Sequence, residues 1–176
     1  DKSSLTLVTA DSQTQGRGRF KRSWISPEGG NLYATYVFFI GKIDESIGNI
    51  PQLLALSVYE VLLPICSKIR LKWPNDLVIC EKKLGGILCE LTEIEGDYAV
   101  VIGIGLNINT PLDVLRKIDR PATSLSEELA KMLDSNALSE SIHLHFKTLL
   151  EQFFKEGFSP FLEGFKNALI HQKGDQ

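Results

Sequence analysis

The chain has 176 residues, 43% of them hydrophobic, with 19 Lys+Arg against 22 Asp+Glu. Disorder needs low hydrophobicity and a large net charge, so it is excluded; 14 Gly and 7 Pro likewise exclude collagen-like or linker sequence. A formal charge of −3 speaks against a dedicated DNA-binding protein, and a chain this long buries roughly 70% of its unfolded surface, enough for one core and one domain.

Residues 5–10, LTLVTA, read as a short strand. Residues 11–30 hold Gly16, Gly18, Pro27, Gly29 and Gly30 with almost no aliphatic residues, a loop long enough to suggest a functional role. Residues 31–40, NLYATYVFFI, predict a strand buried on both faces. Residues 48–68 carry a broad apolar stripe and predict a helix, with Pro51 in its first turn and a kink or early end near Pro64. Strands are expected at 69–73, 76–80, 84–93 and 98–109, joined by turns around Pro74-Asn75, Glu81-Lys82 and Glu95-Gly96-Asp97. The last third is helical. Ser124 and Glu127 have capping-box spacing before a short helix, residues 139–156 show one apolar face, and a final helix is expected over 160–170. Strands first and helices after predict an α+β fold: a mixed, largely antiparallel sheet backed by helices.

Three cysteines, Cys66, Cys80 and Cys89, lack CxxC spacing and lie in apolar runs. They predict neither a disulfide framework nor a zinc knuckle, and they fit a core position in a reducing cytoplasm. The start DKSSLTLVTA has no signal-peptide pattern, and no apolar run approaches the roughly 20 residues that span a membrane.

Four segments carry chemistry. Gly16-Arg17-Gly18-Arg19-Phe20-Lys21-Arg22-Ser23-Trp24 combines backbone that can approach a ligand, guanidinium groups that pair with carboxylate or phosphate, and a flat indole. An anion site, an RNA contact and a solvated basic loop all fit this composition. Lys72-Trp73-Pro74-Asn75-Asp76 places an amide beside a carboxylate, suited to a ribose, a magnesium ion or an amine, although Pro-Asn-Asp also favours a plain turn. In Lys83-Leu84-Gly85-Gly86-Ile87-Leu88, strand alternation puts Lys83 and Gly85 on one face and Gly86 on the other; the alternative is a β-bulge with an exposed lysine. In Gly103-Ile104-Gly105-Leu106-Asn107-Ile108-Asn109, period 2 gives a greasy face and a small, hydrogen-bonding face made of Gly103, Gly105, Asn107 and Asn109, which reads as a ligand floor. His143 and His145, two apart in a predicted helix, read as ordinary helix residues. No Ser/His/Asp or Cys/His constellation is present.

In this order and at these separations the segments resemble the catalytic domain of biotin protein ligases over about residues 8–110, and more loosely beyond. The resemblance implies a class II synthetase-like α+β domain spanning 1–176, shortened at its N-terminus relative to a Ser-Thr-Asn segment usual in the family. It implies biotin as substrate, ATP and Mg2+ as co-substrate, biotinyl-5′-AMP as intermediate, and a lysine of the biotin carboxyl carrier domain of acetyl-CoA carboxylase as acceptor. A monomer or a homodimer, neither DNA-bound nor in a membrane, is expected; no helix-turn-helix segment supports repression, and an SH3-like C-terminal domain common in relatives is not seen.

Residue by residue, the resemblance implies that Lys83 sits between the biotin carboxylate and the α-phosphate, and that Arg17 and Arg19 close over the ligands. Gln13, Gly16, Gly18, Gly86 and Gly103 fall at the biotin site. Arg22 reaches phosphate and Trp24 covers adenine, with Gly105 and Asn107 near the nucleotide. Asn75 and Asp76 assist ATP–magnesium binding, Asp76 as the metal contact and as the acceptor of the incoming amine's proton. Arg19, Lys83 and Asp76 are thus the expected catalytic set. A lipoate ligase or octanoyl transferase of the same fold, a non-catalytic RNA- or ligand-binding module, and an inactive fragment are the alternatives.

Overall fold

The structure is a computed structural model and describes residues 4–43 and 45–170. Among these residues six strands form a sheet: β1 (Thr6–Ala10), β2 (Leu32–Ile40), β3 (Ile69–Lys72), β4 (Asp76–Ile79), β5 (Lys82–Ile94) and β6 (Asp97–Leu106), in the order β1-β2-β6-β5-β4-β3. Every pair of neighbours is antiparallel, and parallel pairing is confined to the isolated bridges Leu71↔Leu169 and Lys83↔Ala122. The helices are α1 (Ile50–Leu62), α2 (Leu112–Leu115), α3 (Leu125–Leu129), α4 (Ser135–Glu156) and α5 (Leu162–Ala168). The α+β class expected from the strand and helix patterns is the one observed.

The core lies between one face of the sheet and helices α1, α4 and α5. Alternate residues of β6 (Val100, Ile102, Ile104, Leu106) and β2 (Leu32, Ala34, Tyr36, Phe38) point into it, against Leu53, Leu54 and Val58 of α1 and Ile142, Phe146 and Phe153 of α4. Removing a ring such as that of Phe146, which is fully buried, costs about 3–5 kcal/mol in sites of this kind. His145 Nε2 meets Glu60 Oε2 at 2.6 Å, joining α4 to α1, and His143 stacks on Tyr36. Both histidines therefore serve the helix packing.

Helix ends follow local chemistry. α1 takes Pro51 in its first turn and stops at Leu62, two residues before Pro64, which has no N–H to continue it. Ser124 Oγ accepts from the N–H of Glu127 at the start of α3. α4 begins four residues before the expected 139, because Asp134 Oδ1 accepts from the N–H groups of Asn136 and Ala137, both at 3.0 Å. Among the described residues no helix is long and apolar enough to cross a membrane.

Two expectations fail. β6 stops at Leu106 rather than 109, since the side chain of Asn31 takes over the ladder: its Oδ1 accepts from the N–H of Ile108 and of Asn109 and from the Thr110 hydroxyl. Cys80 is exposed, not core; it sits at φ 49° in the turn after β4, beside Glu81 at φ 65°. Cys66 is buried and Cys89 half-buried.

Candidate active site

The sheet face opposite α1 and α4 carries the site, and a bulge determines which side chains reach it. Between β4 and β5 the register runs Asp76↔Gly86, Leu77↔Gly85, then Val78↔Lys83, so Leu84 is the extra residue. An extra residue reverses the alternation from that point. Leu84 and Gly85 both turn to the core, where a Cβ on Gly85 would lie 2.9 Å from the Gly105 carbonyl oxygen and 3.0 Å from Leu106 Cδ1. Lys83 and Gly86 turn to the opposite face, where a Cβ on Gly86 would lie 3.1 Å from Lys83 Nζ. This corrects the expected pairing of Lys83 with Gly85. Lys83 Nζ donates to Asp76 Oδ1 at 2.6 Å and stands 5.5 Å from the Trp24 ring centroid. The backbone of Lys83 is held as well: its N–H donates to Pro121 O, and its carbonyl accepts from the N–H of Thr123.

The glycine- and arginine-rich loop lies over this face as an irregular hairpin. The bridges Gln13↔Ser26 and Arg17↔Ser23 pair its two arms. Gly16 sits inside that pairing: its carbonyl accepts from the N–H of Trp24, and a Cβ there would lie 2.5 Å from Trp24 O. Tyr33 of β2, buried beneath the loop, donates its hydroxyl to Pro27 O. Trp24 turns inward and its ring rests on Gly105; a Cβ at 105 would fall 2.5 Å from both Cε2 and Nε1 of the indole. Two side chains tie the loop to the sheet. Arg19 Nη1 donates to Asn75 Oδ1 at 3.3 Å, and Arg17 Nη2 faces Glu90 Oε2 at 3.7 Å. Asn75 is itself fixed, Nδ2 donating to Ile87 O at 2.6 Å.

Loop and sheet enclose a cavity of about 1020 Å³. It is lined by Gln13, Arg17, Gly18, Arg19, Arg22 and Trp24 from the loop, by Asn75, Asp76, Lys83 and Gly86 from the sheet edge, and by Gly103, Gly105 and Asn107 from β6 and its exit. All the residues expected at the site are thus brought together except Gly16, which holds the hairpin instead. Asn109 is also absent from the cavity. Its amide donates to Gly30 O and Leu133 O and its Oδ1 accepts from the N–H of Leu133, so the expected four-residue floor ends at Asn107. Asn107 still borders the cavity while its Nδ2 donates to Thr123 O.

The segment before α3 was not anticipated as part of the site. Lys117, Ile118, Asp119, Arg120 and Ala122 form a further wall. Its signal in the sequence was Lys117-Ile118-Asp119-Arg120, a small charged cluster with no glycine to mark it. The wall is anchored by the Lys83↔Ala122 bridge and by Glu128, whose Oε1 accepts from Thr123 Oγ1 at 2.7 Å and Lys82 Nζ at 3.3 Å.

Positive charge dominates the lining: seven basic side chains against Asp76, Glu90 and Asp119. Each of these acids already faces a cation, respectively Lys83, Arg17 and Arg120. Among the described residues Arg19, Lys21 and Arg22 form no ion pair, so the lining has cationic capacity for an anionic ligand. Nucleophilic candidates are poor. Burial, with Glu90 adding to it, pushes the Cys89 thiol up to about 11, and Cys89 does not line the cavity. Among the described residues no group of three His, Cys, Asp or Glu is placed to hold a metal ion.

An antiparallel sheet backed by helices on one face and roofed by a basic loop on the other defines an α+β domain with a cavity lined mostly by basic side chains, Lys83 among them. The chain belongs to the biotin/lipoate A/B protein ligase family, whose model matches residues 1–107. It is 34% identical over 163 residues to the bifunctional ligase/repressor BirA of Salmonella typhimurium, covering 89% of this chain and 49% of that protein. It is 29% identical over 159 residues to the biotin--[acetyl-CoA-carboxylase] ligase of Paracoccus denitrificans, covering 87% and 66%. The biotin protein ligase of Aquifex aeolicus, solved in complex with biotin and ATP, superposes with a TM-score of 0.76 at 33% identity, over 93% of this chain and 68% of that one. The chain spans about half the length of the BirA relative it matches.

Proposed function

We propose that this chain activates biotin with ATP as biotinyl-5′-AMP and passes the biotinyl group to a lysine of a biotin carboxyl carrier protein, in the cytoplasm. The observation that carries this reading is the convergence of Lys83 and the arginine-rich loop on one cavity. The Aquifex structure holds biotin and ATP, and the name of the Paracoccus relative specifies acetyl-CoA carboxylase as the acceptor enzyme.

In the first step a carboxylate oxygen attacks the α-phosphorus, the P–O bond to pyrophosphate breaks, and a mixed anhydride forms. Two anions must approach one another, and fixed positive charge between them lowers that barrier. Lys83 is the cation for this junction, held by Asp76 at its ammonium and by residues 121–123 at its backbone. Arg17, Arg19 and Arg22 supply charge from the roof, and Gln13 and Gly18 complete the biotin side. Gly86 and Gly103 leave the floor low enough for the ligand. Trp24, seated on Gly105, is the surface for adenine, beside Asn107. Asn75 and Asp76, the latter paired with Lys83, would hold the triphosphate with its magnesium, which is part of the ATP substrate and would neutralise phosphate charge. In the second step the acceptor amine attacks the acyl carbon, AMP leaves, and the amine's proton passes to Asp76. The loop closes over the anhydride and keeps water from it.

The test is to incubate the chain with biotin, MgATP and a carrier domain and to weigh the carrier. Addition of one biotinyl group is the expected result. An unchanged carrier, together with no biotin-dependent ATP–pyrophosphate exchange, overturns the reading; exchange driven by lipoate instead reassigns the acid.

A further inference from the structure

Two aromatic rings stand open to solvent at the mouth of the cavity. Phe20 in the roof loop is 80% exposed and Trp73, just before Pro74, is 68% exposed. They are joined through Arg19, whose guanidinium carbon lies 5.1 Å from the Phe20 ring centroid while its Nη1 bonds Asn75, two residues after Trp73. Phe20 sits at φ 56° and Lys21 at φ 58°, left-handed backbone that residues with a Cβ adopt rarely. The loop thus holds a conformation unfavourable for phenylalanine, and in it the ring faces water.

Scattered apolar side chains on a surface call for no explanation. Here one ring packs beside Arg19 and the other immediately precedes Pro74, and Arg19 and Pro74 both line the cavity; aromatic residues with arginine are the groups that dominate protein–protein contacts. Phe20 borders the cavity, yet four-fifths of it faces solvent, more than a small substrate enclosed by the cavity would cover, and Trp73 does not line the cavity at all. The ground around them is basic: Lys21 and Arg22 are exposed, and so is Lys117 across the mouth. An acceptor protein has to approach this rim, because its lysine must reach an acyl group beside Lys83.

We propose that Phe20, Arg19 and Trp73 form the docking ridge for the acceptor, a folded protein domain that presents its target lysine from an acidic surface. The ridge rests on the ligase reading above and adds to it the face on which the acceptor sits. Apolar contact with the two rings supplies affinity, and the basic rim orients the acidic face and speeds encounter.

The test separates the two half-reactions. Phe20→Asn keeps a residue that tolerates left-handed backbone, and Trp73→Ala removes the second ring. Each single variant is expected to raise the KM for an apo carrier domain about tenfold, and the double variant about a hundredfold. Biotin-dependent ATP–pyrophosphate exchange, which needs no acceptor, should stay within about twofold of the parent. Raised salt should weaken the parent's KM for the carrier, and so should neutralising acidic residues beside the carrier's lysine. Exchange falling in step with transfer would show that the rings close on the small substrates, and an unchanged carrier KM would show that they touch nothing; either result overturns the ridge. Should the parent show no exchange with any acid, the ligase reading fails. Calorimetric binding of the carrier to the parent and to the double variant then still decides the docking: weaker binding by the variant supports it, and equal or absent binding overturns it.

Discussion

Trp24 fills the space above Gly105 that a side chain there would need, with indole Cε2 and Nε1 each 2.5 Å from the position of a Cβ. The contact is with a rigid ring, so a small shift cannot relieve it. Gly105→Ala is therefore expected to lift Trp24 off the β6 backbone while β6, paired on both sides, stays in place. Biotin-dependent ATP–pyrophosphate exchange should fall at least tenfold, mainly through the KM for ATP. Intrinsic fluorescence should shift to longer wavelength as the indole gains solvent. An unchanged KM and spectrum would show that Trp24 does not define the adenine surface.

A pair of adjacent glycines gives a sharper contrast. Gly85→Ala drives a Cβ against the Gly105 carbonyl and Leu106 in the core, where neither can yield freely. Overpacking of this sort costs about 1–3 kcal/mol, read as a drop in Tm. Gly86→Ala presses instead on the end of the Lys83 side chain, which can swing aside. Its Tm should change little while kcat for adenylation falls about tenfold or more. Measuring both quantities on both variants checks the inverted faces, and a reversed pattern would contradict the bulge.

That bulge also shows where the sequence stopped being informative. Period-2 alternation is correct along β6, where Gly103 and Gly105 face the cavity and Ile102 and Ile104 the core. It fails in β5, because whether Leu84 is an extra residue depends on its pairing with β4, a long-range property that no local pattern encodes. Asn109 left the expected floor for a similar reason: Asn31, far away in sequence, accepts from the N–H groups of Ile108 and Asn109 that would have extended the strand. The Gly/Arg loop and Lys72–Asp76 were legible because their chemistry is concentrated in a few consecutive residues. The Lys117–Arg120 wall was not, since its charges become meaningful only once Ala122 pairs with Lys83.

Lys83→Ala removes the one ammonium among the described residues within hydrogen-bond distance of Asp76 and leaves that carboxylate half-buried without its cation. The missing charge should lower pyrophosphate exchange by about 10²–10³, the range found when a group that stabilises developing charge is deleted. The fold is expected to survive, as losing such a hydrogen bond costs about 1–3 kcal/mol, small beside the 5–15 kcal/mol typical of a domain. Exchange assays and a thermal melt on the same sample read both effects. Near-normal exchange would remove Lys83 from the chemistry.

Glu128 links this machinery to pH. Burial disfavours its charge, but the Thr123 hydroxyl and the Lys82 ammonium outweigh that and hold its carboxyl below the usual carboxylate range. A carboxyl with a lower pKa in the folded protein stabilises the fold above its unfolded value, near 4.3 for glutamate, and that contribution is lost as pH falls through the folded value. Glu128→Gln should thus be less stable than the parent at pH 7 by about 1.5–3 kcal/mol, the worth of a hydrogen bond to a charged group. The gap should shrink steadily on acidification below pH 4. Because Thr123 also donates its N–H to the Lys83 carbonyl, loosening Glu128 should let the Lys117–Arg120 wall move, raising the KM for ATP more than it lowers kcat. Melting curves from pH 7 to pH 3 on both proteins measure the first effect and steady-state adenylation at pH 7 the second. A stability gap that persists unchanged to pH 3 would mean that the Glu128 charge plays no part in holding the wall.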